Sequence, residues 1–164
     1  MAPLAPLPRA LKPADPSVLI ATVLHAGRLT PAPGTWASAI AAAAAVPIVV
    51  FAGPLALAIA LLAVVQLGIW ASGRVIRASQ AEDPPIVVID EVAGQWLALL
   101  AAPLDPLAWL AAFALFRLFD IVKPFPANWA DARLSGGVGA MADDLIAGLY
   151  AALWVLVLDW LGAW

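Results

Sequence analysis

"ASAIAAAAAVPIVVFAGPLALAIALLAVVQLGIWASG", residues 37–73, carries no charge at any position. One crossing of a hydrocarbon core takes about 20 apolar residues, so the stretch is too long for a single membrane helix and long enough for two. Gly53-Pro54 divides it, because Gly frees the backbone and Pro cannot continue the preceding helix. The reading is two helices, 37–52 and 54–73, running out and back as a hairpin, the first short and weakened by Pro47. The alanines at 41–45 read as a surface for close helix packing.

Working outward, further apolar runs cover Val92–Leu104, Leu107–Phe116 and Leu145–Leu158, the first two separated by the turn "PLDP". Upstream, "SVLIATVLHAG" (17–27) makes a short helix that lies on or dips into a membrane. Residues 1–16, "MAPLAPLPRALKPADP", place their charges after the first prolines. A signal peptide has the charge first and an apolar core next, so this segment reads as an irregular tail. The expected fold is all-α: a polytopic membrane bundle of about five membrane-embedded helices plus a short N-terminal helix, one domain over 17–164.

Composition agrees, with 65% hydrophobic and 12% charged residues against roughly half and one quarter in soluble domains. The chain has no cysteine, which excludes disulfides, thiolate nucleophiles and cysteine-ligated metal sites. A net charge of -3 offers no basic face to nucleic acid. The hairpin arrangement brings all eight basic residues, Arg9, Lys12, Arg28, Arg74, Arg77, Arg117, Lys123 and Arg133, to one side. By the positive-inside rule that side is cytoplasmic, leaving Asp105 and Asp159 opposite. Trp36, Trp70 and Trp129 then fall near the inner interface and Trp109, Trp160 and Trp164 near the outer one, with Trp96 and Trp154 deeper.

Four segments converge on the cytoplasmic face: "TPAPGTWAS" (30–38), "IDEVAGQW" (89–96), "FRLFDIVKPFP" (116–126) and "GGVGAMADDLIAG" (136–148). Asp90-Glu91 and Asp143-Asp144 each sit near the start of an apolar helix. One such pair is explained by the positive end of the helix dipole, worth about 0.3 to 1 kcal/mol; two pairs with Asp120 between them suit a Mg2+ ion, which takes carboxylates, waters and substrate phosphates. Neighbours on a helix point about 100° apart, so one member of each pair is expected to ligate and the other to support it. Arg117, Asp120 and Lys123 form one helical stripe. Either they neutralise one another by snorkelling, or Arg117 and Lys123 clamp a phosphate, since ionisable groups at membrane depth usually mark function. The glycines of "GGVGAM" either cradle an anion with backbone N–H groups or pack helices. Thr35 is a cap or a phosphate ligand, and His25, the sole histidine, has no serine elbow beside it.

Taken together, "PGTWAS", "DEVAGQW", "FRLFDIVKPFP" and "GGVGAMADDLIAG", in this order, resemble the phosphatidylglycerophosphatase A family over about residues 17–150. Two departures stand at Ala37, where the family usually has Gly, and Ala140, where a larger aliphatic residue is usual. The resemblance implies a Mg2+-dependent phosphatidylglycerophosphatase of the bacterial inner membrane, multi-pass and open to the cytoplasm, acting in phospholipid biosynthesis. Its substrate would be phosphatidylglycerophosphate held in the bilayer among other membrane lipids. On that reading Asp90, Glu91, Asp120, Asp143 and Asp144 form the catalytic and metal-binding set. Thr35, Arg117, Lys123, Gly136 and Gly137 bind the substrate phosphate. Oligomeric state is left open, a homo-oligomer included. A phosphatidyltransferase lacks its Asp-Gly frame here and a histidine lipid phosphatase its second histidine. A non-enzymatic membrane scaffold and a divalent-cation transporter stand as alternatives.

Overall fold

The computed structural model describes residues 4–81 and 83–164; the first three residues of the expected tail lie outside them. Among the described residues there are six α-helices and no strand: α1 (Pro16–Ala21), α2 (Pro33–Ser79), α3 (Ile89–Leu99), α4 (Pro106–Val122), α5 (Ala127–Arg133) and α6 (Gly136–Trp160). A single 3-10 turn, Ala26–Arg28, follows α1.

The charge-free stretch lies in α2, which is interrupted at Gly53. With φ 82° and ψ 170°, Gly53 occupies a region essentially closed to residues with a Cβ. Pro33 and Arg77, near opposite ends of α2, line the same cleft, so the two halves do fold back on each other as a hairpin. Each half runs beyond the expected limits, starting at Pro33, where proline suits a first helical position, and ending at Ser79. Pro47 does not end the helix.

Two helices, α2 and α6, are long and apolar enough to cross a membrane, not the five expected. Val92–Leu104 fails because α3 stops at Leu99 after 11 residues and its remainder turns. The next apolar run, although it lengthens into a 17-residue α4, also stays under the roughly 20 residues of a full crossing.

The helix expected at 17–27 is likewise cut short. Val23, Leu24 and His25 take φ values of 48°, 52° and 73°, and Thr22 Oγ1 donates to Val18 O at 2.7 Å while accepting from His25 N. Asp15 caps α1 through Ser17 N and ties it to Arg74 of α2 at 3.5 Å. α5 was not anticipated, and α6 begins at Gly136, well before Leu145. Its glycines are part of the helix rather than a free loop, because other chain segments press on them: a Cβ on Gly137 would strike Ile69 O, and one on Gly139 would stand 2.5 Å from Leu134 O.

Small residues carry the packing. Ala41 and Ala45 are buried one turn apart, as the alanine run suggests, and Trp96, also buried, donates its indole N–H to Ala41 O at 2.8 Å. The crossing of α3 and α6 is a close one, where a Cβ on Gly148 would lie 2.5 Å from Gly94 O and 2.9 Å from Gly94 Cα. Backbone cannot yield as a flexible side chain can. Gly148→Ala is therefore expected to destabilise the fold by about 1 to 3 kcal/mol, the range for overpacking a filled core. A thermal midpoint in detergent equal to that of the parent chain would show that this crossing is not rigid.

Candidate active site

The start of α3, the end of α4, the end of α5 and the first turns of α6 meet at one end of the bundle around a cleft of about 770 Å³. Asp90 and Glu91 enter it from the first turn of α3, Asp120 from the last turn of α4, and Asp143 and Asp144 from α6. Because α6 starts at Gly136, the two aspartates stand about two turns inside it rather than at its N-terminus.

One carboxylate oxygen each from Asp90, Glu91 and Asp144 lies within 4.8 Å of the others. Both members of the first acidic pair thus reach a common point, which the simple 100° separation did not anticipate. In the second pair Asp144 joins the cluster and Asp143 turns to Lys123, 2.7 Å away. Glu91 Oε2 and Asp144 Oδ2 are buried with no hydrogen-bond partner among the described residues, and Asp144 also feels the charges of Asp120 and Asp143. Like charges gathered in a poorly solvated place are costly unless a cation joins them. An all-oxygen donor set of this kind fits a hard divalent cation, held by Asp90, Glu91 and Asp144, with Asp120 and Asp143 beside it.

The two cations of the α4 stripe have separate settings. Lys123 ends α4 in the left-handed region at φ 47°, its N–H still donating to Phe119 O, and Pro124 follows. Its ammonium sits 2.7 Å from both Asp131 and Asp143. Partial burial alone would lower its pKa, but hydrogen bonds to these two carboxylates outweigh that and raise it above the ordinary lysine range. Arg117 is 2.7 Å from Asp120 and donates to Ser38 Oγ at 3.4 Å; Ser38 in turn donates to Gly34 O. A Cβ on Gly34 would collide with the Glu91 carboxylate and come within 3.3 Å of Arg117 Nη1. The glycine of "PGTWAS" thus lets the start of α2 close over Glu91, with Arg117 bracing Asp120 from behind.

Of the residues nominated from sequence, Asp90, Glu91, Asp120, Lys123, Gly136, Asp143 and Asp144 line the cleft. Thr35 is exposed and Gly137 buried, and neither they nor Arg117 and His25 line it. Ala37 is fully buried, while Ala140 lies on the cleft wall. Sequence reasoning missed Asp131, which α5 folds back onto Lys123. No spacing rule within one helix points to it, since the pairing crosses the turn after Pro124. It also missed Tyr150, whose hydroxyl donates to Phe125 O at 2.7 Å and pins that turn against α6.

A family model described as "PgpA: Phosphatidylglycerophosphatase A" matches residues 19–159. The chain belongs to this family of phosphatases. It is 35% identical over 147 residues to a phosphatidylglycerophosphatase A of Haemophilus influenzae, covering 89% of this chain and 90% of the relative. A phosphatidylglycerophosphatase A of Escherichia coli is 36% identical over 87 residues, 52% of this chain and 51% of that protein. A Bacteroides thetaiotaomicron protein named "Putative phosphatidylinositol-3-phosphatase" is 45% identical over 97 residues, 57% of this chain and 59% of its own length. The alignment thus spans little more than half of the last two relatives. No solved structure matches the chain.

Cation binding is readable without turnover. At one hundred times its Kd, a divalent cation that binds only the folded state stabilises by about 2.7 kcal/mol. Titration of Mg2+ into the detergent-solubilised protein is expected to raise the thermal midpoint, with most of the rise lost in Asp144→Asn and retained in Asp131→Asn. Equal responses in the two variants would place the cation elsewhere.

Proposed function

We propose that the protein is a Mg2+-dependent lipid phosphatase that hydrolyses the terminal phosphomonoester of phosphatidylglycerophosphate, giving phosphatidylglycerol and phosphate in phospholipid biosynthesis. The observation that carries the reading is the convergence of Asp90, Glu91 and Asp144 at the open end of an apolar helical bundle. Family membership and the Haemophilus relative, which aligns along nearly the whole chain, supply the lipid.

The setting is a membrane, multi-pass and with the cleft on the cytoplasmic side. In support, the flanks of the bundle expose large apolar side chains, with Phe51 86% and Leu55 72% exposed at the hairpin turn. Ile59 and Leu62 lie further along α2, and Leu153, Trp154 and Leu156 along α6, all exposed. Water tolerates no contiguous apolar surface of that extent on a monomer; lipid tails do. The acyl chains of the substrate remain in the bilayer while its headgroup enters the cleft, so the lipid is never extracted.

Asp90, Glu91 and Asp144 would hold the cation, which would supply the charge that polarises a phosphoryl oxygen and acidifies a water. Asp143 and Asp120 accept protons or hydrogen bonds at the edge of the cluster. Lys123, kept charged by its two carboxylate neighbours, offsets negative charge at the phosphoryl oxygens, and Gly136 at the start of α6 offers backbone N–H. Arg117 holds Asp120 in place through their 2.7 Å ion pair. Direct attack by water is the preferred route, because the chain has no D-x-D-x-T pattern for an aspartyl-phosphate. Phosphoprotein trapped from labelled substrate would overturn it.

A phosphoinositide headgroup is the second reading, favoured by the name of the Bacteroides relative; it too presents a phosphomonoester on a diester-linked lipid. Phosphate release from phosphatidylglycerophosphate and from phosphatidylinositol 3-phosphate in detergent micelles, with Mg2+ and with EDTA, separates the two. The expected result is Mg2+-dependent release from the first. Asp90→Asn or Asp144→Asn is expected to lower kcat by at least about a hundredfold, the scale of an electrostatic group acting in the transition state. Release from the inositol lipid alone would transfer the protein to that substrate, and release from neither would leave the family reading without its activity.

A further inference from the structure

The cleft is lined by seven acidic residues and three basic ones, Arg77, Lys123 and Arg133. A bound cation offsets the acids nearest the chemistry, and Lys123 is already shared between Asp131 and Asp143. Arg77 and Arg133 are different. Among the described residues neither makes an ion pair or a side-chain hydrogen bond, and both are exposed.

The two arginines come from different helices to the wall of one cleft. Arg77 lies in the last turn of α2 and Arg133 in the last turn of α5, three residues before α6 begins. The Arg77 guanidinium is folded toward α6: its Nη1 and the backbone N of Gly137 stand 3.3 and 3.5 Å from the one point that a Cβ on Gly73 would occupy. Guanidinium groups without an ion-pair partner, on the wall of a cleft otherwise rich in carboxylates, can take an anion without first giving up a carboxylate.

We propose that Arg77 and Arg133 form a second anion subsite, which takes the phosphodiester of a lipid carrying two phosphates and selects it over a lipid with a phosphomonoester alone. This rests on the lipid phosphatase reading above and adds the determinant of headgroup choice. Arginine's planar fork matches two phosphate oxygens at once. Asp144 lies eight residues beyond Gly136 on α6, roughly 12 Å along the helix axis. Two phosphates joined through glycerol, with an arginine side chain reaching in at one end and metal–oxygen bonds at the other, span that interval. A lipid whose only phosphate is the reacting monoester fills the metal end and leaves the arginines empty.

The test uses purified protein in mixed micelles with phosphatidylglycerophosphate as substrate, for the parent chain, Arg77→Gln and Arg133→Gln, each first checked for an unchanged thermal midpoint. Two competitors are titrated: phosphatidylglycerol, which has the diester only, and phosphatidic acid, which has the monoester only. Each variant is expected to raise the substrate KM and the inhibition constant of phosphatidylglycerol about tenfold or more, the scale of a hydrogen-bonded charge pair. Phosphatidic acid should inhibit as before, and the loss should fall on KM rather than kcat. Equal weakening of both competitors, or of neither, overturns the subsite. If the parent chain releases no phosphate, the phosphatase reading fails by itself. Direct binding of phosphatidylglycerol micelles, followed by tryptophan fluorescence, then decides the subsite: parent and variants binding alike would sink it.

Discussion

Asp90, Glu91 and Asp144 repel one another, and the bundle holds their oxygens within 4.8 Å all the same. Unpaired charges in a poorly solvated site cost several kcal/mol each, so the surrounding structure has to supply both rigidity and compensation. Rigidity comes from the α3–α6 crossing, where Gly94 and Gly148 bring two backbones together and fix Asp144 opposite Asp90 and Glu91. Gly34 does the same for the start of α2 against Glu91. Three glycines therefore act on the acids through distance: a methyl group at any of them displaces a carboxylate or the helix that carries it.

Compensation is divided among cations that do different things. Arg117 stands behind Asp120 and ties α4 to the start of α2 through Ser38. Lys123 bridges α5 and α6 through Asp131 and Asp143 at the cleft rim. Each is anchored by a helix end, and each keeps one carboxylate from joining the central cluster. What remains at the centre is a set of oxygens that no lysine or arginine pairs with among the described residues, and a divalent ion suits such a donor set better than a lysine already committed elsewhere.

Much of this was legible in the sequence, for particular reasons. Gly53-Pro54 in a charge-free stretch announces a hairpin because no other residue pair breaks an apolar helix so cleanly. The acidic pairs and the Arg117, Asp120, Lys123 stripe stand out because charge is scarce around them. The number of membrane-length helices was overestimated, since an apolar run such as Val92–Leu104 does not reveal that its second part turns. α5 and the Lys123–Asp131 pair were invisible for a related reason: helical periodicity describes neighbours on one helix, and this contact crosses a proline-terminated turn. The glycines at 136–139 admitted two readings, and only the approach of Ile69 and Leu134 decides for packing at Gly137 and Gly139.

The same pairing logic bears on how a charged headgroup enters. A cleft with seven acidic residues repels a phosphorylated lipid until cations are exposed to it, and screening in water weakens but does not remove that repulsion. On the proposed reading, a bound divalent ion reverses the potential at the inner end while Arg77 and Arg133 reverse it at the start of α6. An approaching headgroup with two phosphates then meets favourable charge at both ends. Such an arrangement orients the headgroup along α6 before any chemistry occurs, because the reverse orientation would place the diester at the metal and the monoester beyond it. Orientation set by two separated anion subsites costs the protein no mobile lid, which is consistent with a site built on helix ends rather than on long loops.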